Sequence, residues 1–382
     1  MVVQRSGSEL PSARRTFVVV ESIGDPAQNA FAAKLEQVLL KEGYHYQFWG
    51  WERNRTQQAD RALEQEEHKK ILLRGGGQAR WQLGLYYLIW MVTVFLTALR
   101  NRTDAVYICS RFDAAFPVAV ASLFARRPLL FANRDNISMS YRWPGPVKWL
   151  FKKLEEFVAR RSVVHLLPSE SRWHERSPNV RVVPNTPTRD LLAEAREIAD
   201  RKGYRRPDDA LVLYVNGWLT ARRGARMILE ALRECTDSRV RTLVAGTPLC
   251  PEAEDLLRLE NVTYLGTLSA AESLAVYFGS HVVLTFYDPA IEINRIAEPN
   301  KWGDCMATGT PFITNSEVVT ARKFIEADAC FHVPYGDSRG LRDTICELVK
   351  DRQRWKVVHE NLCRYQLPAW DEAMGDVLAE LA

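Results

Sequence analysis

The chain has 382 residues, 47% hydrophobic and 26% charged, which makes it too long for one ordinary core and gives it the composition of a soluble globular protein of two domains. Its net charge of +4 hides a split, since residues 1–189 hold 28 Lys and Arg against 17 Asp and Glu while the remainder hold 23 against 30. The basic first half favours an anionic membrane surface or a phosphate-bearing acceptor, and a solvated basic face explains it equally well.

In chain order, Thr16–Val20 is a β-branched run closing on Ser22-Ile23-Gly24-Asp25, the pattern of a buried parallel strand feeding a loop. Residues 27–42 follow as a helix with Phe31, Leu35, Val38 and Leu39 on one face. Arg74-Gly75-Gly76-Gly77 reads either as backbone amides offered to an anion or as a flexible connection. Trp81–Leu99 carries no charge between Arg80 and Arg100, close to the ~20 residues of a membrane span. Gln82, Gly84, Thr93 and Thr97 weaken that reading, so a helix lying on a bilayer and a helix buried in the protein stand beside it.

Strands at 104–109 and 128–132 end in Ser110-Arg111 and Asn133-Arg134-Asp135-Asn136. A helix at 149–161 leads to strands at 162–167 and 180–183, the last closing on Pro184-Asn185-Thr186-Pro187. After a polar helix and linker at 188–209 the alternation restarts, with strands at 210–215, 241–245, 262–265, 281–286 and 311–314. Their exits include Asn216-Gly217-Trp218 and Gly266-Thr267, and a helix with Met227, Ile228, Ala231 and Leu232 follows the first. Strands alternating with helices make parallel sheets covered on both faces. Met374, Val377, Leu378 and Leu381 mark a last helix that returns to the body. The expected units are 1–189, 190–365 and the returning helix 366–382.

The most informative stretch is Glu298-Pro299-Asn300-Lys301-Trp302-Gly303-Asp304-Cys305-Met306-Ala307-Thr308-Gly309-Thr310-Pro311, a polar turn, a short helix, a Gly stop and a strand. It aims helix N-terminal amides and a carboxylate at one place, which suits a ligand with phosphate and vicinal hydroxyls. It resembles the nucleotide-sugar loop of the large retaining, family 4-like glycosyltransferases with the GT-B fold. The resemblance runs from Thr16 to about Glu360 and rests on the order of motifs. It implies two Rossmann-like, doubly wound parallel-sheet domains facing each other across a cleft.

The same resemblance implies roles. Arg223, in Arg222-Arg223-Gly224, falls where the family has a Lys-Gly and would neutralise the leaving diphosphate with Lys301 and Asn300. Arg222 or Lys301 would replace a second family cation, whose place Trp218 takes. Asp304 would accept the ribose hydroxyls. The family's other glutamate aligns with Ile296, so Glu298 or Glu292 would hold the sugar. Gly217, Gly266 and Thr267 would line the nucleotide. Asp25, Arg111, Asp113, Arg134, Asp135 and Glu170 stand at first-half strand exits, with Asp25, Arg111 and Arg134 assigned to the acceptor and Asp135 to an acceptor contact or a base. No metal and no cofactor beyond the donor substrate is implied.

The expected activity is transfer of a sugar from a nucleotide-diphosphate donor to a glycan or lipid-linked acceptor, with retention, in surface polysaccharide or glycoconjugate synthesis. The departures at Ile296 and Trp218 keep a non-catalytic subunit open, and an inverting transferase or an epimerase of the same fold are further alternatives. No G-x-S-x-G elbow, Walker loop or G-x-G-x-x-G follows a strand. The seven histidines lack metal-site spacing, His165 and His281 reading as core residues. Aromatics and basic patches do not interleave, which disfavours nucleic acid. Seven scattered cysteines without a C-x-x-C pair and the polar start Met1–Arg15 point to a reducing, cytoplasmic setting, peripheral to a membrane if residues 81–99 meet one. Oligomeric state is not legible.

Overall fold

The computed structural model describes residues 15–53, 68–76, 80–173, 175 and 177–382. The polar start at 1–14 and Gly77 lie outside them. The first sheet pairs β1 (Thr16–Glu21), β2 (His45–Glu52), β3 (Lys69–Arg74), β4 (Ala105–Cys109), β5 (Leu129–Ala132), β6 (Val164–Leu167) and β7 (Val180–Val182) in the order β3-β2-β1-β4-β5-β6-β7. The second pairs β8 (Leu211–Asn216), β9 (Val240–Ala245), β10 (Val262–Tyr264), β11 (Val282–Leu284), β12 (Phe312–Asn315) and β13 (Phe331–Val333) in the order β10-β9-β8-β11-β12-β13. The named strand pairs are parallel. Each chain path starts mid-sheet, runs to one edge and then crosses to the other side. The exits of β1 and β4, and of β8 and β11, therefore diverge where an open α/β sheet forms its crevice.

The two-residue period of β1 sorts the first core. Phe17 and Val19 meet α1 (Ala30–Lys41), while Val18 and Val20 meet α2 (Arg80–Arg100), α3 (Phe112–Ala121) and α4 (Gly145–Arg161) on the other face. The second sheet is covered by α5 (Arg189–Lys202), α7 (Ala270–Gly279) and α8 (Asn300–Thr308) on one face, and by α6 (Ala225–Arg233), α9 (Ser338–Lys350) and Val358 of α10 (Arg352–Cys363) on the other. The last helix, α11 (Trp370–Leu381), packs Met374, Val377, Leu378 and Leu381 into the first-sheet core, with Trp370 edge-on to Phe31 at 5.7 Å.

Three strands go beyond the sequence reading. β2 and β3 were not expected because β2 alternates exposed His45 and Gln47 with buried Tyr46 and Phe48 before a register shift at Gly50, and β3 is a half-buried edge. β13 is only three residues long. Gly75 and Gly76 both take a φ of +88°, and a Cβ on Gly76 would overlap the Tyr86 ring. They pack against α2, and Gly75 N–H donates to the Glu52 carbonyl at 2.8 Å, so these two residues are not a loose connection. His165 and His281 are core residues, and burial pushes both rings down to about 4.

α2 is neither buried nor free of the protein. Trp90, Val94 and Ala98 are fully buried against the first sheet, whereas Leu85, Leu88 and Val92 are more than half exposed. Residues 82–100 are long and apolar enough to cross a membrane, with mean hydropathy 1.6.

The chain crosses between the sheets at 183–188 and returns before α11. Thr186 Oγ1 donates to the Pro368 carbonyl at 2.8 Å, and Trp370 N–H donates to Pro187 at 3.2 Å, so the two crossings lie side by side. α8 is wedged against the first crossing. A Cβ on Gly303 would overlap the Asn185 carbonyl and stand 2.9 Å from the Thr186 Cα. Gly303→Ala is therefore expected to destabilise the protein by about 1–3 kcal/mol, the usual cost of overpacking, read as a lower urea midpoint. Gly375→Ala in α11, where nothing lies within 4 Å of the added Cβ, should instead stabilise by about 0.5–1 kcal/mol. Equal effects would show that the close approach at Gly303 does not constrain the fold.

Candidate functional site

A cleft of about 390 Å³ separates the two sets of strand exits. Its first wall carries Arg134 and Asp135 after β5 and Arg172 after β6; its second carries Trp218, Thr220 and Arg223 after β8, Tyr287 after β11 and Glu298–Lys301 entering α8. Residues far apart in sequence that the motif reading assigned to one diphosphate, Arg223, Asn300 and Lys301, thus meet in one place.

Local rules explain how each arrives. Pro299 caps α8 without a side-chain acceptor, and Trp302 N–H donates to the Pro299 carbonyl at 3.1 Å, so the Asn300 and Lys301 amides keep their partial positive charge available to an anion. Lys301 folds beneath the β8 exit, where Nζ donates to the Asn216 carbonyl at 2.5 Å beside Gly217, whose φ is +89°. Burial, reinforced by Arg223, pulls Lys301 down to about 8. Arg223 ends a 3-10 turn and lies over the Tyr287 ring at 4.3 Å, which fixes its guanidinium at the cleft wall. Gly224 follows at φ +78°, where a Cβ would reach Phe286 at 2.9 Å.

The glycines at the neighbouring exits stack as a shelf. Gly217 N–H donates to Ala245 at 2.9 Å, Gly246 N–H donates to Gly266 at 2.8 Å, and a Cβ on Gly246 would overlap the Gly217 carbonyl. Gly266 and Thr267 sit at the outer end of this shelf and do not line the cleft. Arg222 is exposed and outside the wall; its carbonyl accepts from Asp288 N–H at 3.1 Å.

Asp304 lies one helical turn behind Lys301 and is also outside the cleft wall. It is half-buried at the seam between domains, where burial lifts its carboxyl to about 7 against the pull of Lys34 from α1 and of Lys301. Lys34 donates to the Thr186 carbonyl at 2.8 Å and is lowered to about 8, again by burial. Glu298 lines the cleft, but its carboxylate is 3.1 Å from Lys323, its carbonyl accepts from Asn185 Nδ2 at 2.5 Å, and burial raises its carboxyl. Ile296 ends the turn Glu292–Ile296 and faces an adjoining cavity of about 380 Å³ with Trp173; Glu292 pairs with Lys148 of the first domain.

In the first domain Asp135 is exposed at the cleft, and Arg134 is held over Phe31 by a 3.1 Å bond to Asn29 Oδ1. Arg111 instead precedes α3 and stands 3.4 Å from Asp113. Asp25 accepts from Ala27 N–H at 2.8 Å and lies 3.6 Å from Lys69, a cap at the β1 exit that takes no part in the cleft wall. The sequence reading missed Arg172, Tyr287 and Asn185. Glu170, named among the strand exits, was the one signal near Arg172. Among the described residues no cluster of three His, Cys, Asp or Glu side chains is placed to hold a metal ion.

The two depressed lysines have a consequence below the usual range. At pH 8 an ordinary lysine with pKa near 10.4 is about 99% charged, whereas Lys34 and Lys301 are near half neutral. They should be the first lysines acylated by a small reagent at pH 8, with the labelling rate falling towards pH 6 as both regain their protons and the preference over ordinary lysines fading only above about pH 10, where those lose theirs too. Peptide mass mapping checks this, and labelling no faster than at exposed Lys152 would count against it.

The chain matches no protein-family model and no curated protein sequence. Solved structures do resemble it. HepE of Anabaena, in complex with UDP and glucose, gives a TM-score of 0.65 over 96% of this chain and 99% of its own at 17% identity. A glycosyltransferase of Rickettsia africae gives 0.66 over 97% and 99% at 13% identity. A candidate UDP-N-acetylglucosamine 2-epimerase of Listeria monocytogenes gives 0.64 over 97% and 96% at 13% identity. At these identities the likeness establishes the fold, which is GT-B.

Proposed function

We propose that the protein transfers a sugar from a nucleotide-diphosphate donor to an acceptor presented by the first domain. The observation that carries this is the convergence of Arg223, Lys301 and the uncapped α8 N-terminus on one interdomain cleft. Charge grows on the diphosphate as the sugar leaves, and cations and amides fixed on the cleft wall stabilise that charge without reorganising. Trp218, 76% exposed at the cleft mouth, offers a ring face to the sugar or base in place of a second cation. Asp304, behind Lys301, would hold the ribose once the seam with Lys34 opens, and Glu298 would hold the sugar.

HepE binds UDP and UDP-glucose, so uridine donors are the first to test, followed by GDP- and TDP-sugars. Loss of Arg223 removes a charged contact of roughly 1.5–3 kcal/mol, so Arg223→Ala should weaken UDP binding by about tenfold to a hundredfold in calorimetry and abolish turnover. Nucleotide binding without turnover of any donor would support a non-catalytic subunit, and isomerisation of the donor sugar would support an epimerase. Retention is favoured because the Glu298 carboxylate is engaged by Lys323, leaving the departing diphosphate to assist the acceptor proton. The exposed Asp135 supports the inverting alternative. An inverted product whose formation Asp135→Asn abolishes would establish that alternative.

The acceptor is proposed to be a membrane-assembled glycan, as in surface polysaccharide synthesis, with the protein peripheral on the cytoplasmic face of the bilayer. Leu85, Leu88 and Val92 of α2 continue into exposed Leu123 and Phe124, whose ring is 6.2 Å from Phe95. Exposed Arg100 and Arg102 stand at and just after the end of α2 and exposed Arg126 just after Phe124, and Arg161 is bonded to Ser122, next to Leu123. Apolar side chains contribute up to about 1.5–3 kcal/mol each on burial, and basic residues about 1 kcal/mol each at an anionic surface. The full chain should sediment with phosphatidylglycerol vesicles and not with phosphatidylcholine vesicles at moderate salt. Leu88→Asp with Val92→Asp should release it while leaving UDP affinity intact. Vesicle binding that ignores both lipid charge and the double substitution would remove this surface from the reading.

A further inference from the structure

The donor site leaves one cation of the cleft unused. Arg172, on the turn after β6, is only 7% exposed, and its Nε is buried without a hydrogen-bond partner. It lines both the cleft and the adjoining cavity that holds Trp173, Ile296 and Lys152. Arg134 stands within electrostatic reach on the same wall, and burial depresses both guanidiniums. Two carboxylates act on Arg172, those of Asp135 and Glu298, but Glu298 is already ion-paired with Lys323 at 3.1 Å and Asp135 faces solvent. Two guanidiniums lining one cleft wall and withdrawn from bulk water disfavour each other unless an anion joins them. The planar fork of arginine matches the oxygens of phosphate or carboxylate.

We propose that Arg172 and Arg134 form an oxyanion subsite for the acceptor, so that the acceptor carries a phosphate or carboxylate which docks where the cleft meets the second cavity. This rests on the reading of the cleft as a donor–acceptor site. It adds the chemical class of the acceptor and a binding residue, Arg172, on the wall opposite the donor cations.

Inorganic phosphate and acetate are titrated into the full-length Arg223→Ala protein, in which one of the two donor cations is removed and Lys301 remains, and into the Arg223→Ala/Arg172→Gln double variant, whose comparison isolates Arg172. Saturable binding of either anion to the first, weakened by about tenfold or more in the second, is the expected result; which anion binds tells phosphate from carboxylate. Arg172→Gln alone should keep UDP affinity within about twofold. Arg172→Lys, which keeps the charge without the fork, should bind the anion with intermediate strength and checks that any loss is not misfolding. Anion binding indifferent to Arg172, no anion binding by the Arg223→Ala protein, or a fall in UDP affinity equal to the fall in anion affinity would each overturn the subsite. If UDP fails to bind the wild-type chain, the donor reading falls while the anion titrations still decide the role of Arg172.

Discussion

The molecule depends on the contact between α8 and the first interdomain crossing. Because residue 303 is glycine, the helix axis approaches the Asn185–Thr186 backbone closely enough for Asn185 to bond the Glu298 carbonyl. That approach sets where the α8 N-terminus points. With Lys301 anchored on the Asn216 carbonyl, the helix is tied at once to the β8 exit and to the chain entering the second domain. The anion-seeking end of the helix is thereby held at the interdomain cleft and not at the rim of one sheet.

The cleft built on that contact is electrostatically tense. On its walls Lys301, Arg134 and Arg172 are lowered by burial and Glu298 is raised by it, while behind them at the seam Lys34 is lowered and Asp304 raised. Opposite charges across the seam, such as Lys34 and Asp304, relieve part of the cost, but the cations on the cleft walls have no full set of partners. Concentrating perturbed groups in one concavity is what a site that awaits charged ligands requires. Surface ion pairs elsewhere, such as Lys41 with Asp190, contribute little by comparison.

Strand exits do the positioning in both domains. Parallel strands bring all their carboxyl ends to one edge, so Arg134, Arg172, Trp218 and Tyr287 reach the cleft from loops separated widely in sequence. The first domain adds a separate feature on another face, where α2 buries Trp90 and leaves its leucines outside. A helix whose apolar residues surround its whole circumference can satisfy the core with one stripe only. The remainder needs either water or another apolar partner.

Much of this was written locally. Strands buried on both faces, such as β1, β4, β5 and β8, are unbroken apolar runs, and the turn Pro299-Asn300-Lys301 with its Gly309 stop announces a helix start and end within a few residues. Arg223 was legible because its glycine-ended turn is a local motif. By contrast β2 and β3 escaped notice because an edge strand and its neighbour bury themselves unevenly. The sequence by itself determined the two parallel sheets and the polar turn that enters α8, since propensity and period act over a few neighbouring residues. Only the tertiary structure decided that Asp25 caps its own loop, that Asp304 sits at the seam behind the cleft, and that Arg172 faces into it. Those outcomes turn on how two separately folded sheets are juxtaposed, and long-range packing across the Gly303 contact, not local preference, sets that arrangement.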